Sequence, residues 1–245
     1  MLKIKEPFRK SSREEEVLDA DKKPIPIFSA SRYSGCDWAH YISLFPERVK
    51  EILDALSEIF DLGNEVHLED NYLTEGARNI LHKEEYFRII HESEAWGVSG
   101  ILDYDKFNFS GKYLEDMKST QKGGLYFFLK EGVKMEDKRQ MSIYAYMKFV
   151  FTGTKRYKGV IRKIDKVEPL NQLQLVTDLF EIEKIRNFLV NHPVRRCYFK
   201  EITEEELAEI TANRLRKGVN KNTGEHWLCT NCSLADGTCP VRQQI

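Results

Sequence analysis

Val98-Ser99-Gly100-Ile101-Leu102-Asp103 and Leu114-Glu115-Asp116-Met117-Lys118 are two short runs of strand length, and how they sit beside each other decides the fold. Side chains alternate faces along a strand, so Asp116 and Lys118 project to one side and Met117 to the other. Strands pair about 4.8 Å apart, so Asp103, ending the earlier run, is expected close to Asp116 if the runs are neighbours. Two carboxylates and an ammonium would then share one face.

Outward from this pair, Tyr86-Phe87-Arg88-Ile89-Ile90 reads as a preceding strand, joined to Val98–Asp103 as a hairpin. The third strand, Tyr113 to Ser119, follows a polar link from Asn108 to Lys112 that contains the turn pair Ser110-Gly111. A meander of three strands results. Upstream, Val49, Ile52, Leu53, Leu56, Ile59 and Phe60 recur at helical spacing behind Pro46, which predicts a helix over Glu47 to Phe60. Downstream, Gln140 to Phe151 carries Ile143, Tyr144, Met147 and Phe151 on a helical stripe, although its aromatic content also suits a strand. Tyr157 to Asp165 reads as a strand, and Leu179 to Val190 and Glu204 to Lys217 as helices. The pattern is α/β, with a central mixed sheet flanked by helices.

The 245 residues, 41% of them apolar, suit one globular domain over 26–245, ending in a cysteine-rich tail at about 224–240. Residues 1–25 are charged and lack apolar periodicity, which reads as a flexible arm outside the core. No apolar run approaches the roughly 20 residues that span a bilayer, so a soluble, cytoplasmic chain is expected. Net charge is −1, from 38 basic and 39 acidic residues. Nucleic-acid binding would therefore need local basic patches, not a global cationic field.

Phosphodiester cleavage needs a hard cation on oxygen ligands, to polarise the phosphoryl group and generate hydroxide. Asp103 and Asp116 are the candidate ligands, and Lys118 would orient the water and offset charge in the transition state. Taken alone, an Asp-x-Lys triplet is common and most are solvated ion pairs. Gln140 and Tyr144 stand four apart, so on a helix they share a face and would meet a phosphate or support the lysine; a core tyrosine is the plainer alternative.

The ordered set Gly100-Ile101-Leu102-Asp103, Asp116-Met117-Lys118-Ser119, Gln140 and Tyr144 resembles the motifs of RecB-like PD-(D/E)xK nucleases. The resemblance implies a restriction-endonuclease-like core and a catalytic set of Asp103, Asp116, Lys118, Gln140 and Tyr144. It also implies magnesium or manganese held by Asp103, Asp116 and the backbone carbonyl of Met117. Gly63-Asn64-Glu65-Val66-His67 is similar to the family's glycine–histidine pattern and makes His67 a metal ligand; Glu65, Glu69, His82 and His91 compete for that role.

Of five cysteines, Cys229, Cys232 and Cys239 crowd the tail, Cys36 lies far upstream, and Cys197 stands apart as a buried apolar residue. An intracellular setting favours metal ligation over disulfides. The one-plus-three arrangement is similar to the iron–sulfur branch of the family, including the CRISPR-associated RecB-lineage exonuclease and the AddB nuclease domain. There a [4Fe-4S] cluster joins the N- and C-terminal segments. Spacing alone leaves zinc open, since it also takes four thiolates.

Lys155, Arg156, Lys158, Arg162 and Lys163, with Tyr157 among them, form a candidate DNA strip or a solvated basic edge. The resemblance implies an exonuclease on single-stranded DNA or duplex ends, acting with recombination, repair, replication, phage or CRISPR-adaptation proteins. An endonuclease, or a non-catalytic iron–sulfur DNA-binding subunit, remains the alternative. Neither polarity nor oligomeric state is encoded in these motifs.

Overall fold

A computed structural model of the chain describes residues 2–4, 18, 21, 23–45, 80–108, 111–120, 123–168, 170–221, 226–230, 232 and 239–245. They fall into two compact units, one from Met1–Ser31 and Asp61–Ile185, the other from Arg32–Phe60 and Arg186–Ile245. The helix expected over Glu47 to Phe60 lies outside the described residues, as does His67.

The first unit is a mixed sheet of seven described strands: β1 (Leu2–Ile4), β2 (Ile27–Ser29), β3 (Ile80–His91), β4 (Trp96–Asn108), β5 (Gly111–Thr120), β6 (Lys158–Asp165) and β7 (Gln172–Asp178). The expected meander is present, longer than the apolar runs that marked it. β3 and β4 form a long antiparallel hairpin, closed where His91 faces Trp96 and the rings stack 4.2 Å apart. The buried Trp96 indole N–H is satisfied by Glu94 Oε2 at 2.8 Å. β5 returns antiparallel through Gly111, whose φ of +124° a side chain would resist. Leu2–Ile4, within the stretch expected to be an arm outside the core, pair with β3 and so belong to the sheet.

Parallel strands need a crossover, and β5, which follows α1 (Asp37–Ile42) in the chain, reaches β6 through two helices, α2 (Gly124–Glu131) and α3 (Met135–Thr152). α3 packs on β3, β5 and β6 and ends at Gly153, whose left-handed backbone (φ +70°) donates to the Phe149 carbonyl at 2.8 Å. Every residue from Gln140 to Lys148 is buried, so this helix is a core element on all sides, not an amphipathic one with a single apolar stripe. β7 closes the described sheet as an edge strand. Among the described residues, no helix is long and apolar enough to cross a membrane.

The second unit is helical, with α1, α4 (Ile182–Val190, shared with the first unit), α5 (Pro193–Tyr198), α6 (Glu204–Leu215) and the short α7 (Trp227–Thr230). α6 starts at a capping box, Thr203 Oγ1 accepting from Glu206 N while Glu206 Oε2 accepts from Thr203 N. α1, α5 and α6 pack on one another. Buried Asp37 accepts from Arg214 Nη1 at 3.0 Å, and Tyr41 donates to Glu204 Oε1 at 2.9 Å. Arg214 also donates to the Gly35 carbonyl, so the residues on both sides of Cys36 are tied to α6, one by its backbone and one by its side chain.

Two stability effects follow. At Gly100 a Cβ would stand 2.6 Å from Tyr144 Cε1 and 3.0 Å from the Ala30 Cβ. Gly100→Ala should lower stability by about 1–3 kcal/mol by overpacking, read by denaturant unfolding; an unchanged midpoint would show that the contact yields freely. In the second unit, burial, then the charges of His192 and Arg32, hold the His40 imidazole well below its ordinary 6.5. The unfolded chain therefore takes up a proton that the folded one refuses, and stability falls as pH drops below about 6.5. His40→Phe should flatten that fall by up to about 1.4 kcal/mol per pH unit, and identical pH slopes in the two chains would refute the assignment.

Candidate active site

The site forms where the sheet forks. One edge of β4 pairs with β2 at Gly97–Ser99 and with β5 at Tyr104–Asn108, leaving residues 100–103 between the two ladders. Beyond Glu115, β5 pairs with β6 and leaves β4. The Met117 N–H, which would otherwise be a buried donor without a ladder partner, is taken by Asp103 Oδ2 at 2.6 Å. In an extended strand a residue's N–H and C=O face the same side, so the Met117 carbonyl opens on the same gap.

A cavity of about 410 Å³ fills this fork. Asp103, Asp116, Lys118, Gln140 and Tyr144 all line it. Asp116 and Lys118 come from β5 through strand alternation, Gln140 and Tyr144 from one stripe of α3. Lys118 Nζ lies 2.9 Å from Asp116 Oδ2 and donates to Gln140 Oε1 at 2.9 Å. The other end of that amide donates to the Tyr144 hydroxyl at 2.9 Å and to Asp116 Oδ1 at 3.4 Å. Gln140 thus orients both the lysine and the carboxylate.

Charge within the cavity fixes the protonation of two groups. Burial works against the Lys118 ammonium, but the Asp116 carboxylate, with Asp137 and Asp103 behind it, outweighs that and raises its pKa. Burial, reinforced by Asp116, pushes the Tyr144 hydroxyl well above its usual range, so it stays neutral. Lys118 is a fixed positive charge at neutral pH and Tyr144 a neutral hydroxyl.

Several cavity residues carry no motif signal in the sequence. Ser29 and Ser31 enter from β2 and the turn after it, with their hydroxyls 3.0 Å apart, and Tyr86 and Ser99 from the hairpin. Next to the site, buried Lys148 pairs with buried Asp105 at 2.7 Å. Their positions extend two regular series, Gln140, Tyr144 and Lys148 on α3 and Asp103 and Asp105 on β4, a signal that spacing alone could have yielded.

Asp103 and Asp116 offer hard oxygen donors suited to a divalent cation. Asp116 Oδ2 is buried and, beyond its ion-pair contact, accepts no hydrogen bond, which leaves a lone pair for a metal. This donor set fits magnesium or manganese, although among the described residues no three His, Cys, Asp or Glu side chains gather as a metal group. Of the competing histidines, His91 is occupied in the core by Trp96 and by the Tyr146 hydroxyl at 3.1 Å. His82 lies on β3.

Cys36, Cys229, Cys232 and Cys239 all belong to the second unit. Cys229 and Cys239 are buried, and Cys36 precedes α1 as its N-cap. Burial pushes the Cys36 thiol up to about 11, and the nearby Cys232 adds to the rise. The described residues do not bring three thiols into a metal group. Cys197 is buried on α5 beside Tyr41 and Glu204.

The basic strip requires a correction. Lys155, Arg156 and Lys158 are exposed, but Arg162 is 3% exposed and its Nε donates to Glu115 Oε1 at 2.8 Å, alongside Lys106 Nζ at 2.9 Å. Its charge is neutralised inside the protein, so it presents no surface to DNA. Lys163 is half-buried, with its ammonium 4.6 Å from the centre of the Phe128 ring.

No family model matches this chain, and no curated protein matches it. Among solved structures, the crystal structure of SSO0001 is similar over 87% of this chain and 85% of its own, with a TM-score of 0.52 and 17% identity. At that identity the likeness is one of fold, and the fold is mixed α/β, a central mixed sheet flanked by helices.

Proposed function

We propose that the chain is a metal-dependent deoxyribonuclease with a restriction-endonuclease-like core, favouring exonucleolytic cleavage of single-stranded DNA or duplex ends. The observation that carries this is the convergence of Asp103, Asp116, Lys118, Gln140 and Tyr144, from two strands and a helix, on one cavity. A magnesium or manganese ion held by Asp103, Asp116 and the Met117 carbonyl would polarise a phosphoryl oxygen. Lys118, kept positive by Asp116, would hold the attacking water and face the charge that develops on phosphate; being protonated, it is no general base. Gln140 fixes the ammonium, and the neutral Tyr144 hydroxyl secures Gln140 from behind.

The exposed Lys155, Arg156 and Lys158 supply phosphate contacts without base readout, which suits weak sequence preference and salt-sensitive binding. Cys36, Cys229, Cys232 and Cys239 are proposed to hold a [4Fe-4S] cluster, with zinc the alternative occupant. Its part would be structural, joining α1 to the tail inside the second unit. The partners proposed are DNA and proteins of recombination, repair or CRISPR adaptation.

The direct test is digestion of end-labelled linear and circular single-stranded DNA with magnesium or manganese, by anaerobically purified protein. Asp116→Asn and Lys118→Met, verified as folded, should each lose about 10²–10³-fold or more in rate. Cleavage of the circle would make it an endonuclease; a wild-type chain that binds DNA and cuts neither substrate would be a binding subunit. For the second unit, Cys36→Ser should lower iron and acid-labile sulfide content and the melting temperature together. Stoichiometric zinc without iron in the wild type would replace the cluster with a zinc site.

A further inference from the structure

Lys118 has a neighbour that the proposed cleavage does not use. In the parallel β5–β6 ladder Lys118 stands in register with Lys163, and register partners one strand apart point to the same face. Lys163 lines a second cavity, of about 260 Å³, together with Thr120, Phe127, Phe128, Glu131 and Lys134. α2 borders it and carries large apolar side chains into solvent: Tyr126 is 63%, Phe127 57% and Leu129 64% exposed. Leaving three such residues in water on an eight-residue helix is unfavourable unless something covers them.

We infer that this cavity and the aromatic side of α2 form a subsite for a single-stranded nucleic acid, a phosphate lying between Lys163 and Lys134 and an unstacked base lying on Phe127. Lysines set beside exposed rings select this occupant over an apolar protein surface. Lys163 and Lys134 line the cavity with the carboxylate Glu131, Asp137 stands beside them, and proteins that hold single strands combine backbone cations with exposed aromatic rings. Lys118 of the first cavity and Lys163 of the second are register partners on neighbouring strands, which sets the two cavities side by side. The subsite rests on the proposed nuclease activity in one respect: the strand it grips is the one whose phosphodiester enters the Asp116–Lys118 cavity. It would favour substrates with unpaired bases beside the cut.

Binding is measured on the full chain, by anisotropy of a fluorescein-labelled oligothymidylate without divalent ions, so that the outcome does not depend on cleavage. Phe127→Ala, a change at an exposed side chain, should weaken affinity about tenfold, equal to about 1.4 kcal/mol. Lys163→Gln should do the same and reduce the salt slope by about one, while Lys184→Gln on α4 should change nothing. Oligonucleotides carrying bromodeoxyuridine should cross-link to α2. Wild-type affinity in both Phe127→Ala and Lys163→Gln would overturn the subsite and leave the nuclease proposal standing. Weakened binding in both, by a chain that cuts no DNA, would uphold the subsite and remove the nuclease.

Discussion

Where β4 and β5 part company, the backbone is left with a donor that no strand can accept. A buried N–H without a partner loses free energy comparable to a hydrogen bond, so a fork in a sheet persists only if a side chain fills the missing place. Asp103 does this for Met117. The same carboxylate that closes the ladder also faces the cavity, so the geometry of the fork and the chemistry of the site cannot be separated. β2 meets the other half of the β4 edge and sets the width of the gap.

Everything polar in this region is settled by α3. A helix buried on all sides would ordinarily be apolar, yet this one carries Gln140, Ser142, Tyr144, Tyr146 and Lys148 through the core. Each meets a partner: Ser142 accepts from Phe180 N at 3.0 Å, Tyr146 meets His91, and Lys148 neutralises Asp105. Buried networks of this kind hold their members in one arrangement when all are satisfied. Such rigidity suits side chains that must meet a substrate already in position.

Much of the sheet was legible: the meander and β6 follow from alternation and turn residues, whereas the helix read over Gln140 to Phe151 lies within α3, although not by the single apolar stripe that suggested it. The candidate site was legible through order and spacing, with Asp103 and Asp116 reaching one cavity although the ladder between their strands ends at Tyr104 and Glu115. β7 was missed although it alternates, because as an edge strand it half-buries only Leu173, Leu175 and Thr177 and turns Val176 to solvent. α2 was missed because it is short, bounded by Gly123 and Gly132, and exposes apolar residues that a core pattern would bury. Arg162 misled for a different reason. A run of cations resembles a surface, and only strand register reveals that Glu115 waits on the neighbouring strand to neutralise one of them.

The second unit is assembled from two stretches of chain with β3 to β7 of the central sheet between them. During synthesis, Cys36 and α1 emerge after β1 and β2 and must wait, without α5, α6 or the tail cysteines, while the rest of the sheet is made. The first unit can complete its core before the last segment leaves the ribosome; the second cannot begin to. Cys36 and the three tail cysteines of that unit therefore come together only in the interval after the tail appears, when the sheet is already finished.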